Sequence, residues 1–373
     1  MADKPGGAAI DKVCAAAYRI PTDRPEADGT LAWTSTTLIV AYVSAGNRRG
    51  LGLTYAHASV AAAIEELLAP AIADQDCFDI SGCWIAMQRA VRNVGRSGIA
   101  GCAISAIDLA LWDLKAQMLS IPLAKLLGCC RNEVPVYGSG GFTSYSNEEL
   151  SEQLGHWAKE DGCHFVKMKI GSDPELDPKR AEVAWQAIGD CQLFVDANGA
   201  FDVKNALRFA DRTEELDIRW FEEPVSSDDP AGLHAVRSRT SAGLEVAAGE
   251  YIFTLDDADR LLSYGAVDVL QADVTRCGGI TGFLKIAALA EARHIDMSAH
   301  CAPSMHRHLA CAIPRLRHVE WFHDHVRVEQ MLFDGAPFVR SGTIAPDPTR
   351  YGHGLSFKAR DAAPYHTSGE VLT

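Results

Sequence analysis

"FVKMKIG", residues 165–171, sets two lysines inside a run that otherwise reads as a buried strand. Residues i and i+2 of a strand share a face, so Lys167 and Lys169 project the same way and each raises the cost of the other's charge. Two arrangements accommodate them. Either the segment is an edge strand with a solvated lysine face, or the ammonium groups meet carboxylates in a shared pocket. The neighbouring segments decide between these.

Working outward, short β-rich segments recur from residue 134: "VPVYGSGG" (134–141), "FVKMKIG", "QLFVDANG" (192–199), "IRWFEEP" (218–224), "LEVAAGE" (244–250), "VDVLQADV" (267–274), "IDMSAH" (295–300) and "HVEWF" (318–322). Most gaps between them carry a helical apolar period, as in "NEELSEQLGHWAKEDG", "DVKNALRFADRTEELD" and "TGFLKIAALAEARHI". Eight strands alternating with helices predict a closed (β/α)8-type barrel over residues 131–334. Residues 1–130 read as a separate α+β domain. "LAWTSTTLIVAYVSAGNRRGLGLTY" has the pattern of antiparallel strands turning near Gly46-Asn47, and "ASVAAAIEELLAPAI" and "GCAISAIDLALWDLKAQML" follow as helices. The segment 335–373 has few helical features and is expected to fold back on the rest.

Within each barrel segment after the first, an ionisable residue falls near the carboxyl end: Lys167 and Lys169, then Asp196 with Asn198, then Glu222 and Glu223, then Glu250, Asp273, His300 and Glu320. Barrel active sites occupy that end. A solvated surface has no reason to keep this phase over seven strands, so the lysines are expected to face a carboxylate-lined pocket. Asp196, Glu222 and Glu250 come from consecutive strands and form a hard oxygen set suited to Mg2+, with Glu223 a competitor for Glu222. On adjacent strands, Asp273 can orient His300 and raise its basicity. Cys301 should point away from the lumen by strand alternation, and no Ser or Cys completes a hydrolase triad.

The totals narrow the partners. The 373 residues are 47% hydrophobic and 23% charged, with a net charge of −14 spread along the chain. Such a surface argues against nucleic acid and anionic membranes as partners. Eleven scattered cysteines without zinc spacing, and a start "MADKPGGAAIDKV" without an apolar leader core, predict reduced thiols in a cytoplasmic protein.

These motifs resemble the enolase superfamily and, within it, the mandelate racemase subgroup. "KMK" looks like its K-x-K, "DAN" its D-x-N, "WFEEP" and "GE" (249–250) its other ligand motifs, "QADVTRCGGITG" with "SAH" its Asp–His dyad, and "VEW" its final glutamate. "GRSGIAGCAISAIDLALWDLKAQMLSIPLAKLLG" (95–128) is similar to the segment joining that family's capping domain to its barrel. Ala272 stands where a proline is usual, and "LLGCC" replaces "LLGG". The resemblance implies that residues 1–130 cap the barrel and that 335–373 pack on the cap. It implies Mg2+ held by Asp196, Glu222 and Glu250, and abstraction of a proton next to a carboxylate to give an enediolate. Lys169, its pKa depressed beside Lys167, would be the base, and His300 with Asp273 the group on the opposite face. Lys167, Asn198 and a protonated Glu320 would support the intermediate.

Dehydration of an aldonate or aldarate to a 2-keto-3-deoxy acid is the favoured outcome. Racemisation or epimerisation of a 2-hydroxy acid, or cycloisomerisation of a sugar lactone, on the same site is the alternative. A Schiff-base aldolase using Lys169 is a different-class reading, but it leaves the carboxylates and the dyad without work. Candidate substrate contacts are Arg24, Trp33, Tyr55, His57, His306 and His323. Relatives imply a homo-oligomer, whereas the sugar acid and its stereochemistry stay open.

Overall fold

The computed structural model describes residues 8–372; residues 1–7 and 373, where the predicted outer domain limits fall, lie outside the described residues. Three long strands open the chain: β1 (Ile10–Ala27), β2 (Ala32–Ala45) and β3 (Arg48–Tyr55), all antiparallel. Gly46, at φ +57°, supplies the left-handed turn between β2 and β3. The sheet's fourth strand is His366–Gly369, which returns from the C-terminal tail to pair with Ala16–Tyr18. The helix Ile99–Met118 packs on β3 so closely that any side chain at Gly50 or Gly52 would run into the Ala110 or Ala106 carbonyl.

Eight parallel strands then close on themselves: β4 (Val134–Gly140), β5 (Phe165–Lys169), β6 (Gln192–Asp196), β7 (Trp220–Glu222), β8 (Glu245–Ala248), β9 (Val269–Ala272), β10 (Asp296–Ala299) and β11 (Leu316–Phe322). Each pairs with the next, and β11 pairs with β4, with Glu320 opposite Tyr137. Helices such as Asn147–Lys159 and Gly279–Ala292 cover the outside. Inside, Phe165, Phe194 and Trp220 stack with centroids 5.2 Å apart at each step. Tyr137, Ala247 and Val269 complete this apolar plug. The plug, in which the buried His318 packs among the rings and Gln271 donates to the Tyr137 hydroxyl (3.3 Å), fills the amino-terminal half of the lumen and leaves the carboxyl-terminal mouth for the charged groups.

The capping sheet reaches that mouth through its first hairpin. Its tip, Asp28–Leu31, is tied to the loop after β4 by Thr143, whose N–H donates to the Ala27 carbonyl (2.8 Å) and whose hydroxyl donates to that of Asp28 (2.8 Å). A Cβ on Gly29 would lie 2.6 Å from the carbonyls of both Ile170 and Ala197, so the tip rests directly on the ends of β5 and β6. Among the described residues no helix is long and apolar enough to cross a membrane.

Candidate active site

The strand register assembles the site. Lys169 of β5 lies opposite Asp196 of β6, which lies opposite Glu222 of β7. Lys167, fully buried, places Nζ 2.7 Å from Glu222 Oε1, 2.8 Å from Glu320 Oε1 and 3.2 Å from Asp196 Oδ2. Burial works against its charge, but Glu222 and Glu320 outweigh burial and hold the ammonium protonated. The edge-strand reading is thereby excluded.

Lys169 Nζ lies 2.5 Å from Asp196 Oδ2. Burial lowers its pKa and Lys167 adds to that, yet Asp196 reverses the balance and raises it. This corrects the depressed value expected from two adjacent lysines: the partner carboxylate dominates the like charge. Glu320 is corrected similarly. Burial pushes its carboxyl up, but Lys167 and His300 together hold it below the ordinary range, so it is ionised here.

Asp196, Glu222 and Glu250 are all buried, and one oxygen from each lies within 4.8 Å of the others. Glu222 is pushed up to about 8 by burial and by Asp196. Glu223, left-handed at φ +37°, is pushed well up by burial and Glu250, and its Oε1 has no partner among the described residues. Among the described residues, the cations facing Asp196, Glu222, Glu223, Glu250, Asp273 and Glu320 are Lys167, Lys169, Arg276 and the His300 imidazole, with neutral bonds from Trp220 Nε1 to Glu222 (2.9 Å) and from Ser139 to Glu320 (2.6 Å). An all-oxygen, over-acidic cluster with an orphaned buried oxygen fits a hard divalent cation.

His300 Nδ1 stands 2.9 Å from Asp273 Oδ2, and Asp273 Oδ1 accepts from the Thr275 N–H at 2.7 Å. Nδ1 therefore donates to the aspartate, and Nε2 faces the pocket, 3.2 Å from Glu250 Oε2. Burial disfavours the imidazolium, but the adjoining Cys301, then Glu250, Glu320 and the bond to Asp273, raise its pKa well above the ordinary value. His306, fully buried, accepts from the Val274 N–H (2.9 Å) and donates to the Cys301 carbonyl (2.8 Å), which locks the turns after β9 and β10 together.

Cys301 does not point away as alternation predicted. Its φ of +53° breaks the strand geometry immediately after His300. The Sγ lies 3.4 Å from both His300 Nε2 and Glu320 Oε2, and the N–H donates to Glu320 Oε2 at 3.0 Å. Burial pushes the thiol up, so it stays neutral. Asn198, at φ +46°, turns similarly: its N–H donates to Asp196 Oδ1 (2.9 Å), while its buried Oδ1 has no partner among the described residues.

Lys169, Asn198, Glu250, His300, Cys301 and Glu320 line a cavity of about 440 Å³ that the capping domain borders and that stays open to solvent. Trp33, Tyr55 and His57 border it, joined by Asp28, Thr36 and Thr37. Tyr55 is stacked on His325, centroids 3.5 Å apart, and donates to the buried Glu329 at 3.4 Å, so its hydroxyl serves the domain seam. Arg24, His306 and His323 lie outside the cavity. Arg24 pairs with Glu149 at the surface, His306 is spent on backbone groups, and His323 faces Asp23. Sequence reasoning missed Arg276. Its Nη1 donates to the Glu250 carbonyl (3.1 Å), and Nε lies 3.7 Å from Asp273 Oδ2. It follows Asp273 by three residues in "DVTR", and that spacing was the available signal.

Residues 29–128 match the model of the mandelate racemase / muconate lactonizing enzyme N-terminal domain, and residues 149–362 match the enolase C-terminal domain-like model. The L-talarate/galactarate dehydratase of Salmonella typhimurium is 32% identical over 342 residues, covering 88% of this chain and 82% of that protein. Its structure liganded with Mg and L-lyxarohydroxamate superposes with a TM-score of 0.90 at 28% identity, covering 99% and 95% of the two chains. The 3,6-anhydro-alpha-L-galactonate cycloisomerase of Streptomyces coelicolor is 32% identical over 358 residues, covering 93% and 96%. A mandelate racemase/muconate lactonizing enzyme-like protein from Rubrobacter xylanophilus has a TM-score of 0.94 at 48% identity, covering 96% and 100%.

Proposed function

Because this chain belongs to the mandelate racemase / muconate lactonizing enzyme family of the enolase superfamily, and is an enzyme, we propose that it dehydrates a sugar acid to a 2-keto-3-deoxy acid. The observation that carries this reading is the pairing of a carboxylate trio with two acid/base groups, Lys169 and His300, inside one capped cavity.

Asp196, Glu222 and Glu250 would hold Mg2+, which supplies positive charge where the substrate carboxylate gains electron density. Lys169, whose ammonium is paired with Asp196 here, would act as the base only after giving up that proton; its free amine then takes the α-proton, and the C–H electron pair enters the enediolate. Lys167 offsets its negative charge, and Asn198, which lines the same cavity, can donate from its amide NH2. His300, protonated through its carboxylate neighbours, gives its Nε2 proton to the β-hydroxyl as the C–O bond breaks, so that water leaves and the enol tautomerises. A Schiff base at Lys169 is disfavoured, since it would leave the carboxylate trio and the Asp273–His300 pair without work.

The capping-domain side of the cavity presents Asp28, Trp33, Ser35, Thr36, Thr37 and His57, and neither Lys nor Arg among its lining residues. A second carboxylate would meet Asp28 there without a permanent cation, so aldonates should be preferred to aldarates. The test is a screen of purified protein with Mg2+ against both classes in D2O, reading 2-keto acid and exchange at C2. His300→Ala is expected to lose dehydration yet keep C2 exchange, whereas Lys169→Ala loses both. Undiminished dehydration by His300→Ala would overturn its role. C2 exchange and inversion without keto acid would favour the racemase reading, and a lactone product the cycloisomerase one.

A further inference from the structure

We propose that a second divalent cation, of the borderline first-row kind such as Zn2+ or Ni2+, binds at the domain seam between Asp23 and Glu26 of the capping hairpin and His323 of the barrel. One ligand atom from each of these residues lies within 4.8 Å of the others. Asp23 and Glu26 belong to the outer end of β1, and His323 opens the helix His323–Leu332 that follows β11. His323 Nε2 is 3.2 Å from both oxygens of Asp23.

The carboxylates here exceed their partners. Glu26 is only 1% exposed; its Oε2 accepts from Trp33 Nε1 at 2.7 Å, but its buried Oε1 has no partner among the described residues. Asp324, fully buried next to His323, accepts from Arg327 Nη2 at Oδ1 (2.6 Å), and its Oδ2 is likewise without a partner among the described residues. Burial and the charge of Asp324 push Glu26 up to about 8. The cations close by are Arg327, shared with Asp324 and the Pro21 carbonyl, and Arg24, which turns to Glu149. The amino end of the helix adds weak opposing positive potential. Three carboxylates and one imidazole therefore face a single committed guanidinium.

The mixed N/O donor set distinguishes this cluster from the all-oxygen trio in the barrel, because imidazole suits Zn2+ and later first-row ions such as Ni2+, whereas carboxylates alone suit Mg2+. Asp23 and His323 are partly exposed, so an ion can enter from solvent. Trp33 joins Glu26 to the cavity wall, so an ion here would pin the lid hairpin to the barrel without touching the reacting atoms.

The test is calorimetric titration of the full chain with Zn2+ in excess Mg2+, with bound zinc counted after desalting. Wild type, Glu250→Gln and Cys301→Ser should each take up one equivalent. Glu26→Gln and His323→Gln should bind at least tenfold more weakly, and Zn2+ should raise the melting temperature of wild type but not of these two. If His323→Gln folds poorly without metal, Asp23→Asn decides by the same readout. No uptake by wild type, uptake unchanged in the seam variants, or uptake lost in Cys301→Ser would overturn the proposal.

Discussion

His300 and Cys301 are consecutive, yet both face the reacting volume, because the backbone turns left-handed between strand and helix. The imidazole depends on Asp273, which fixes Nδ1–H as donor and favours the charged ring. Asp273→Asn should therefore lower the dehydration kcat by at least about 100-fold while leaving the melting temperature within a few degrees, since positioning and proton donation commonly contribute about 10²–10⁴-fold. Steady-state kinetics checks this, and a drop of only a fewfold would contradict it. Glu329 offers a pH test away from the chemistry. Burial raises its carboxyl from 4.5 to about 7, against bonds from the Ser304 N–H (3.1 Å) and hydroxyl (2.5 Å). A raised carboxyl contributes stability fully below pH 4.5 and loses that contribution as pH rises through 7. Glu329→Gln keeps an acceptor for Ser304, so its denaturation midpoint should not show this loss over that window; identical pH slopes would refute the assignment. Residue identities at the strand tips were legible because a two-residue period puts them on one face. Cys301 was not, since no pattern in "SAHC" announces a left-handed turn. Nor was Glu329, an acid on a helix whose burial depends on Tyr55 from another domain.

At the scale of elements, the barrel strands could be read because Val, Ile and Phe runs recur with helical gaps between them. β1 could not. Its "KVCAAAYRIPTDRPEA" is rich in alanine and interrupted by Pro21 and Pro25, and its partners β2 and the C-terminal strand, rather than its own propensity, make it a strand. The hairpin it forms with β2 is the lid, and Gly29 is where it touches the barrel. Gly29→Val should push the tip off the Ile170 and Ala197 carbonyls and raise KM about tenfold or more, with little loss of thermal stability. Kinetics and melting curves measured together separate this from a folding defect. An unchanged KM would mean that the tip does not gate the cavity. The helix Ile99–Met118 acts from beneath: Asp108 accepts from the Thr281 N–H (2.9 Å) and hydroxyl (2.6 Å), and Ser105 from the Gly278 and Gly279 N–H groups (2.9 and 3.1 Å). Together they hold the glycine-rich turn that follows Asp273 and Arg276. Asp108→Ala strands two buried donors and should cost roughly 2–4 kcal/mol of unfolding free energy, measurable by denaturant titration. A loss below about 1 kcal/mol would show that water or a shift of the turn replaces the carboxyl.

Across the whole molecule, the two ends of the chain close one capping sheet over one barrel mouth. His366–Gly369 pairs with β1, and His353 from the same tail donates to the Leu51 carbonyl at 2.8 Å and accepts the Leu355 N–H at 3.1 Å. Aromatic plug below, charged layer in the middle and polar lid above follow in order along the barrel axis, and that order keeps the charged side chains buried. Within that layer, the acids outnumber their cations among the described residues, which is what the proposed Mg2+ site requires. Isothermal titration of the protein with Mg2+, in wild type and in Asp196→Asn, Glu222→Gln and Glu250→Gln, measures this most directly. One equivalent bound by wild type, with affinity at least tenfold weaker in each variant, is the predicted result. Wild-type affinity in all three variants, or no uptake by wild type, would contradict the account.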